Sequence, residues 1–152
     1  MAFSLTSPAF AHGAAIPVRH TCDGQNLSPQ LRWNNQPSGC RGFALIVDDP
    51  DAPSGTFTHW VLFDVPPTER GLPEAAAGGT AGKQGRNDFG KNGYGGPCPP
   101  HGHGVHRYFF RLHALDVESL KLAAGARRSE VERAIQAHVL ATAELMGKYE
   151  RK

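Results

Sequence analysis

Three short apolar runs, separated by turn-forming residues, most constrain how this chain can fold. The first runs from Phe43 to Val47, and the other two lie within residues 58–67 and 106–116. Runs of this length are typical of strands that are covered on both faces. The stretches between them hold many of the chain's 18 glycines and 12 prolines, which favour turns. The sequence therefore predicts a turn-rich, mostly β protein rather than a helical bundle.

Weaker patterns predict the remaining elements. Residues 3–5 and 30–33 read as short strands, and residues 72–88 read as a long exposed loop. A helix is predicted near 129–146, where Ser129 and Glu132 have the spacing of a capping box. Its apolar stripe is Val131, Ile135, Val139 and Ala143, joined by Ala134, Leu145 and Met146, with Gly147 as the residue that ends it. Strands followed by a terminal helix indicate a β domain with a peripheral helix.

Length, charge and cysteine content exclude several classes of protein. The 152 residues fit a single domain over 1–152, and no apolar run approaches the ~20 residues of a membrane span. A net charge of +2 gives no reason to expect nucleic-acid binding. The first twenty residues lack a basic and then apolar leader, so we interpret them as mature protein.

The cysteines indicate a compartment and exclude one kind of site. Cys22, Cys40 and Cys98 do not form a disulfide framework, and none belongs to a C-x-x-C pair that would suggest structural zinc. We therefore expect a cytoplasmic protein without a metal or another cofactor.

Residues with functional chemistry lie where the predicted strands begin or end. Asp49 and Asp51 follow the first apolar run, and the prolines at 50 and 53 keep this loop out of the sheet. His59 opens the second run and His106 the third, and Tyr108 shares a strand face with His106. A histidine and a phenol side by side suit an anion. The simpler interpretations are a charged turn and structural histidines, and both stay open at this point.

The segment before the third run is stiff and rich in backbone donors. Residues 93–104 hold five glycines and the prolines at 97, 99 and 100. Glycines allow close backbone approach to an anion, and prolines reduce the entropy lost on binding. His101 and His103 lie in this segment, and we interpret both as surface histidines.

The motifs together resemble the phosphatidylethanolamine-binding protein family, especially its bacterial branch described as Raf kinase inhibitor-like. They are "DPDAP" at 49–53, "HW" at 59–60 and "GPCPPHGHGVHRYFF" at 96–110. "SPAF", "IPVRHTCDGQNLSPQLRW" and "NDFGKNGYGG" extend the resemblance over nearly the whole chain. The resemblance implies a central antiparallel sheet packed on a smaller second sheet, with peripheral helices and a small anion pocket at the strand ends.

The resemblance also implies which residues form that pocket. The ligand-binding residues it implies are Asp49, Asp51, His59, Gly96, Pro99, Pro100, His106 and Tyr108. Asp48 lies outside the motif, and His101 and His103 are not pocket positions of the family.

From the resemblance we expect a non-catalytic binding protein for phosphate or a phosphorylated head group, such as that of a phospholipid. A partner kinase or protease that it regulates and a homodimer are the candidate protein partners. The alternative from another class is a metal-assisted hydrolase that uses His59, His106 and Asp49 as ligands. Against it, the sequence has no H-E-x-x-H, G-x-S-x-G or comparable nucleophile motif.

Three further expectations concern the loops around the pocket. A sharp turn in "DPDAP" favours a cis bond between Ala52 and Pro53. Cys22 and Cys98 lie in family-like segments, so they either approach each other near the pocket or are two unrelated small residues. If histidines bind the anion, binding should be tighter at pH 6 than at pH 8, because protonation adds a charge and a donor.

Overall fold

Two antiparallel sheets form the protein, as the sequence predicts. The computed structural model describes residues 1–76 and 82–152. The small sheet has the strand order β1-β2-β5 and the large sheet the order β6-β4-β3-β7-β8. The strands are β1 Ser4–Thr6, β2 Leu31–Asn34, β3 Gly42–Asp49, β4 Phe57–Val65, β5 Gly71–Leu72, β6 Lys83–Gln84, β7 His106–Leu115 and β8 Val139–Tyr149. No helix within the two described ranges is long and apolar enough to cross a membrane.

Strand β3 is buried along its whole length, which explains its continuous apolar sequence. Alternate side chains of a strand point to opposite faces. Phe43, Leu45 and Val47 face the core between the two sheets. Ala44 and Ile46 face a second core, which helix α1, Arg128–Ile135, covers with Val131 and Ile135. The strand thus has an apolar neighbour on each face.

The helix near the C-terminus is present, but it is shorter than predicted. It ends at Ile135, and the second half of the predicted range lies in strand β8. Residues 139–149 also carry a two-residue period, in which Ala143, Leu145 and Gly147 are buried and Glu144 and Lys148 are exposed. Residues 139–149 pair with β7 over ten registered positions, and this pairing favours the strand. Tertiary pairing therefore overrides the helical stripe.

The ends of the predicted helix also differ. The residue that precedes its first turn is Arg127 rather than Ser129, and the carboxylate of Glu130 accepts a 3.0 Å hydrogen bond from the Arg127 N–H. Gly147 does not end a helix, because it lies inside β8. A Cβ at this position would come within 2.5 Å of Ile16 and 2.8 Å of Phe10, so close packing requires glycine there.

Two loop predictions had different outcomes. The predicted loop at 72–88 contains β6, which pairs with β4, while its residues 77–81 lie outside the described residues. The predicted cis bond between Ala52 and Pro53 is wrong, since the described residues contain no cis peptide bond. Hydrogen bonds shape this turn instead: the Asp51 N–H donates to Asp49 Oδ1 at 2.7 Å, and the Gly55 N–H donates to the Ala52 carbonyl at 3.1 Å.

Candidate functional site

One edge of the large sheet brings the predicted polar residues together. Strand β3 ends at Asp49, and its antiparallel neighbours β4 and β7 begin at Phe57 and His106. The end of β3 therefore lies beside the beginnings of both neighbours. A cavity of about 190 Å³ opens there. It is lined by Asp49, Ala52, Pro53, Phe57, His59, Phe89, Cys98, Pro99, Pro100, His106 and Tyr108.

A β-bulge turns His59 toward this cavity. Val47 pairs with Trp60 and Asp48 with Thr58, so His59 has no opposing residue on β3. Bulges of this kind redirect a side chain next to functional sites. The ring nitrogen Nδ1 lies 2.7 Å from the carbonyl oxygen of Gly95. Because a carbonyl can only accept, Nδ1 carries the proton and Nε2 keeps a lone pair.

Burial determines the charge of His59. The residue is only 4% exposed, and this burial lowers the pKa of its imidazole below the usual range, against smaller opposing effects from the Gly95 carbonyl and the Asp49 carboxylate. The ring is therefore neutral at neutral pH. Its Nε2 has no hydrogen-bond partner among the described residues and offers an acceptor to a ligand.

Three side chains connect the floor of the cavity to the surface. His106 Nδ1 lies 2.6 Å from Asp49 Oδ2, and His106 Nε2 lies 2.6 Å from His103 Nδ1. Asp49 and His106 are buried, whereas His103 is exposed. A chain of three hydrogen-bonding groups from a buried carboxylate to solvent can carry a proton into or out of the cavity.

Sequence reasoning missed His103. We interpreted it as a surface histidine, and it is exposed, but its ring also lies 4.8 Å from the ring of His106. The available signal was the three-residue spacing across Gly104 and Val105, which allows a turn to bring the two rings together. By contrast, His101 lies at the surface, with Nδ1 3.1 Å from the Lys152 carbonyl.

Tyr108 presents an unpaired hydroxyl in the same cavity. The residue is 1% exposed, and its Oη has no hydrogen-bond partner among the described residues. Its ring meets that of His59 edge-on, with centroids 5.2 Å apart. Burial, followed by the negative charge of Asp49, raises the pKa of the phenol. The group therefore stays protonated and remains a donor without an acceptor.

Apolar side chains surround these polar groups toward the mouth of the cavity. Phe57 and Phe89 meet edge-on, with ring centroids 4.7 Å apart, and Phe89 remains 45% exposed. Pro99 and Pro100, predicted as a stiff wall, also line the cavity. Sequence reasoning missed both phenylalanines, because neither carries a polar signal, although Phe89 lies within the quoted "NDFGKNGYGG".

A disulfide bond between Cys22 and Cys98 fastens the wall of the cavity. Their Cα atoms are 5.4 Å apart across a sequence separation of 76 residues. Of the two interpretations left open, the structure therefore has the paired one. Gly96 packs the same wall against the segment at 20–26, because a Cβ there would lie 2.2 Å from the His20 carbonyl oxygen.

Two of the predicted ligand-binding residues do not line the cavity. Gly96 has the packing position just described and borders a neighbouring depression instead. Asp51 forms an ion pair with Arg107, with contacts of 2.8 and 2.9 Å, and also accepts from the Arg107 N–H. The hydrogen bonds from Arg107 lower the pKa of Asp51 to about 2. Asp51 therefore holds the loop after β3 against β7.

The neighbouring acid, Asp48, faces the other side of the sheet. It is buried, with an oxygen 2.7 Å from Arg128 Nη1 and another 3.4 Å from Arg111 Nη1. The contact with Arg128 anchors helix α1 to β3. The prediction that Asp48 lies outside the pocket therefore agrees with its position.

The arrangement of Asp49, His59 and His106 is not that of a three-ligand metal centre. Among residues 1–76 and 82–152, no three histidine, cysteine or acidic side chains converge so as to hold one ion. Asp49 Oδ2 and His106 Nδ1 instead contact each other at 2.6 Å, so neither atom is free for an ion.

Known proteins are similar to this chain in sequence and in architecture. Residues 6–150 match the family described as phosphatidylethanolamine-binding protein. A protein of Aquifex aeolicus designated UPF0098 is 52% identical over 95% of this chain and 86% of its own length. Another UPF0098 protein, from Methanothermobacter thermautotrophicus, is 49% identical over 97% of this chain and 99% of its own length.

Solved structures agree. The crystal structure of E. coli YbcL, described as a member of the mammalian PEBP family, superimposes with a TM-score of 0.93 at 37% identity. The match covers 99% of both chains. A carboxypeptidase Y inhibitor, solved in complex with its cognate proteinase, has a TM-score of 0.57 at 20% identity over 99% of this chain and 83% of its own. That second likeness shows the fold alone.

Proposed function

Because the chain belongs to the phosphatidylethanolamine-binding protein family, we propose that its cavity binds a phosphate group, either free or as the head group of a phosphorylated small molecule or phospholipid. The observation that carries this proposal is the buried, unpaired hydroxyl of Tyr108. A buried donor without a partner costs free energy unless a ligand supplies the acceptor. A phosphate oxygen beside Tyr108 would do so.

The other polar groups complement a phosphate that keeps one proton or carries an amine nearby. His106 bonds Asp49 through Nδ1 and His103 through Nε2, so a phosphate oxygen that takes the place of His103 at Nε2 would receive a donor from protonated His106. The lone pair of His59 Nε2 accepts from a ligand O–H or N–H, which a fully deprotonated anion lacks. The cavity therefore favours phosphate and its monoesters over sulfate.

The size and apolar rim of the cavity indicate which part of a ligand enters. About 190 Å³ is small against the ~300–1,000 Å³ of sites for drug-sized ligands. A head group fits inside, and the rings of Phe57 and Phe89 would contact the carbon atoms that follow it. Asp49, His59, Pro99, Pro100, His106 and Tyr108 are the residues we assign to binding.

Isothermal titration calorimetry with inorganic phosphate and with sulfate tests this proposal. We expect phosphate to bind more tightly than sulfate, and Tyr108→Phe and His106→Gln each to weaken phosphate binding about tenfold or more, as expected for a lost hydrogen bond to a charged group. His101→Gln, a change in an exposed histidine of the same loop, should leave the affinity unchanged. Equal affinity in the wild type and Tyr108→Phe would contradict the proposal.

Binding without turnover is the activity we propose. The Asp49–His106–His103 chain could act as a base, but the sulfur that lines the cavity, Cys98 Sγ, is held in the disulfide and is not a free nucleophile. The hydrolase alternative is tested by assaying phosphoester hydrolysis during a divalent-metal titration. Regulation of a partner kinase or protease and homodimer formation stay predictions. The cytoplasmic location also stays a prediction, and the disulfide is a reason to test it, since such bonds persist mainly in oxidising compartments.

A further inference from the structure

The Cys22–Cys98 disulfide differs in accessibility at its two ends. Cys22 is exposed, in the segment that follows a 3-10 helix at Val18–His20. Cys98 is half-buried and lines the cavity that contains Asp49 and Tyr108. Cys22 is therefore the more accessible end for a small thiol from solvent, while Cys98 is one of the residues that line the proposed ligand site.

A cation lies next to the less accessible sulfur. Arg151 Nη1 is 3.4 Å from Cys98 Sγ and also 3.4 Å from the Pro99 carbonyl oxygen. Arg151 Nε lies 3.2 Å from Asp23 Oδ1, an ion pair without hydrogen-bond geometry, so Asp23 also attracts the guanidinium. A neighbouring arginine favours the thiolate form of a cysteine, and a stabilised thiolate is the better leaving group in disulfide exchange.

We propose that Cys22–Cys98 is a redox-active disulfide whose reduction generates a thiolate at Cys98 in the wall of the cavity and thereby weakens phosphate binding. A small-molecule thiolate attacks Cys22 Sγ, the bond between the two protein sulfurs breaks, and its electron pair stays on Cys98 Sγ beside Arg151. A second thiolate attacks the sulfur of the small molecule in the mixed disulfide. It releases the oxidised small molecule and leaves Cys22 reduced. The small thiol is the reductant, and the protein disulfide accepts the two electrons. The exchange stands by itself, whereas the effect on phosphate rests on the proposed function.

The effect arises from charge, because other bonds keep the wall in place after reduction. The Cys22 N–H donates to the Pro97 carbonyl at 3.1 Å, the Gly96 N–H to Asn26 Oδ1 at 2.8 Å, and Tyr94 Oη to the His20 carbonyl at 2.7 Å. The disulfide is neutral, but a Cys98 thiolate adds a negative charge to a cavity where a phosphate would lie.

Other titratable groups near Cys98 modulate this charge without removing it. Asp49, His59 and His106 face the same cavity, and Asp49 and His106 form a bonded pair. On the outer side, Arg151 is shared with Asp23, which also accepts from Tyr149 Oη at 2.5 Å. Since Arg151 is also paired with the negative charge of Asp23, it does not fully neutralise a thiolate at Cys98.

Calorimetry with inorganic phosphate tests the charge effect, with Cys40→Ala as the background because Cys40 is a free cysteine. Reduction of this protein should weaken phosphate binding about tenfold at pH 8, from the repulsion of two nearby charges at an intermediate dielectric. Cys22→Ser and Cys98→Ser both lack the disulfide, but only Cys22→Ser keeps the sulfur of Cys98. Cys22→Ser should therefore bind phosphate more weakly than Cys98→Ser, by a factor that grows from pH 6 to pH 9.

The outcomes separate this inference from the proposed function. Equal affinities in Cys22→Ser and Cys98→Ser at pH 8 and pH 9 would overturn the charge effect while leaving phosphate binding intact. A failure of the oxidised protein to bind phosphate would overturn both the proposed function and the coupling.

The exchange reaction has a test that needs no ligand. The rate at which reduced glutathione opens the disulfide can be followed by alkylation of the released thiols and mass spectrometry. Arg151→Gln should slow this opening several-fold at pH 7.5, Arg151→Lys should restore most of the rate, and Lys152→Gln should match the wild type. An unchanged rate in Arg151→Gln would overturn the role of Arg151 in exchange.

Discussion

At the scale of single residues, the hydroxyl of Tyr108 lowers the stability of the fold while it favours ligand binding. Its buried hydroxyl has no partner among the described residues, whereas the hydroxyl of Tyr94 donates to the His20 carbonyl at 2.7 Å. An unpaired buried donor destabilises a fold, and a paired one stabilises it modestly. The same chemical change should therefore have opposite effects at the two positions.

We predict that Tyr108→Phe leaves the free energy of unfolding unchanged or raises it by about 1 kcal/mol, while Tyr94→Phe lowers it by about 1 kcal/mol. Urea denaturation of both variants without ligand measures this. If Tyr108→Phe loses as much stability as Tyr94→Phe, the hydroxyl of Tyr108 has a partner within the protein, and the argument for a ligand there fails.

The sequence predicted several of the residues that line the cavity but not the contacts between side chains around it. His59, His106 and Tyr108 were predicted because each lies at the start of an apolar run or shares a strand face with a residue that does. His103 could not be placed, because its contact with His106 depends on how a glycine-rich loop turns. The role of Asp51 was also hidden, since its partner Arg107 is 56 residues away and belongs to the outer face of β7.

At the scale of secondary structure elements, β8 shows why a local pattern is not sufficient. Its sequence fits a helical stripe and a strand alternation, and only the second uses the long open edge of β7. That edge is a long-range feature, which the local pattern of residues 129–146 does not contain. The strands β3 and β4 were predicted correctly because burial on both faces leaves them little polar sequence, and β7 because its apolar residues still form a short run although alternate positions are partly exposed.

The packing of Gly147 inside β8 gives a prediction for this element. Gly147→Ala should lower the free energy of unfolding by about 1–3 kcal/mol, because the new Cβ would overlap Ile16 and Phe10. Thermal denaturation followed by circular dichroism measures the loss. The double variant with Ile16→Ala should lose less free energy of unfolding than the two single variants lose together, because the smaller side chain makes room for the new Cβ. Strict additivity would contradict this packing.

At the scale of the whole molecule, two histidines, His59 which is buried and His113 which is half-buried, make stability depend on pH. Burial lowers the pKa of His59 and of His113 below the usual range. The unfolded chain takes up protons near pH ~6.5, whereas the folded protein takes them up only at lower pH. The unfolded state is therefore favoured increasingly as pH falls through this window.

We predict that the urea midpoint falls between pH 7.5 and pH 5, and that His59→Gln reduces this slope while His101→Gln does not. The ion pair of Asp51 does not contribute in this window, because its stabilisation is lost only as pH falls from the unfolded pKa of ~3.9 toward the folded pKa of about 2. A midpoint that stays constant from pH 7.5 to pH 5 in the wild type would contradict the burial argument.

The bonds between residues 12–16 and strand β8 have a consequence for how the molecule forms during synthesis. Gly13 and Ile16 donate to the carbonyls of Met146 and Lys148, Lys148 donates to Ala14, and the Met146 N–H reaches His12 across 134 residues. Contacts so distant in sequence close late and make folding slow. While the ribosome is still adding β8, the outer edge of β7 is unpaired and Arg151 cannot yet lie against Cys98. The nascent chain is therefore most exposed to wrong strand pairing just before its last strand is released.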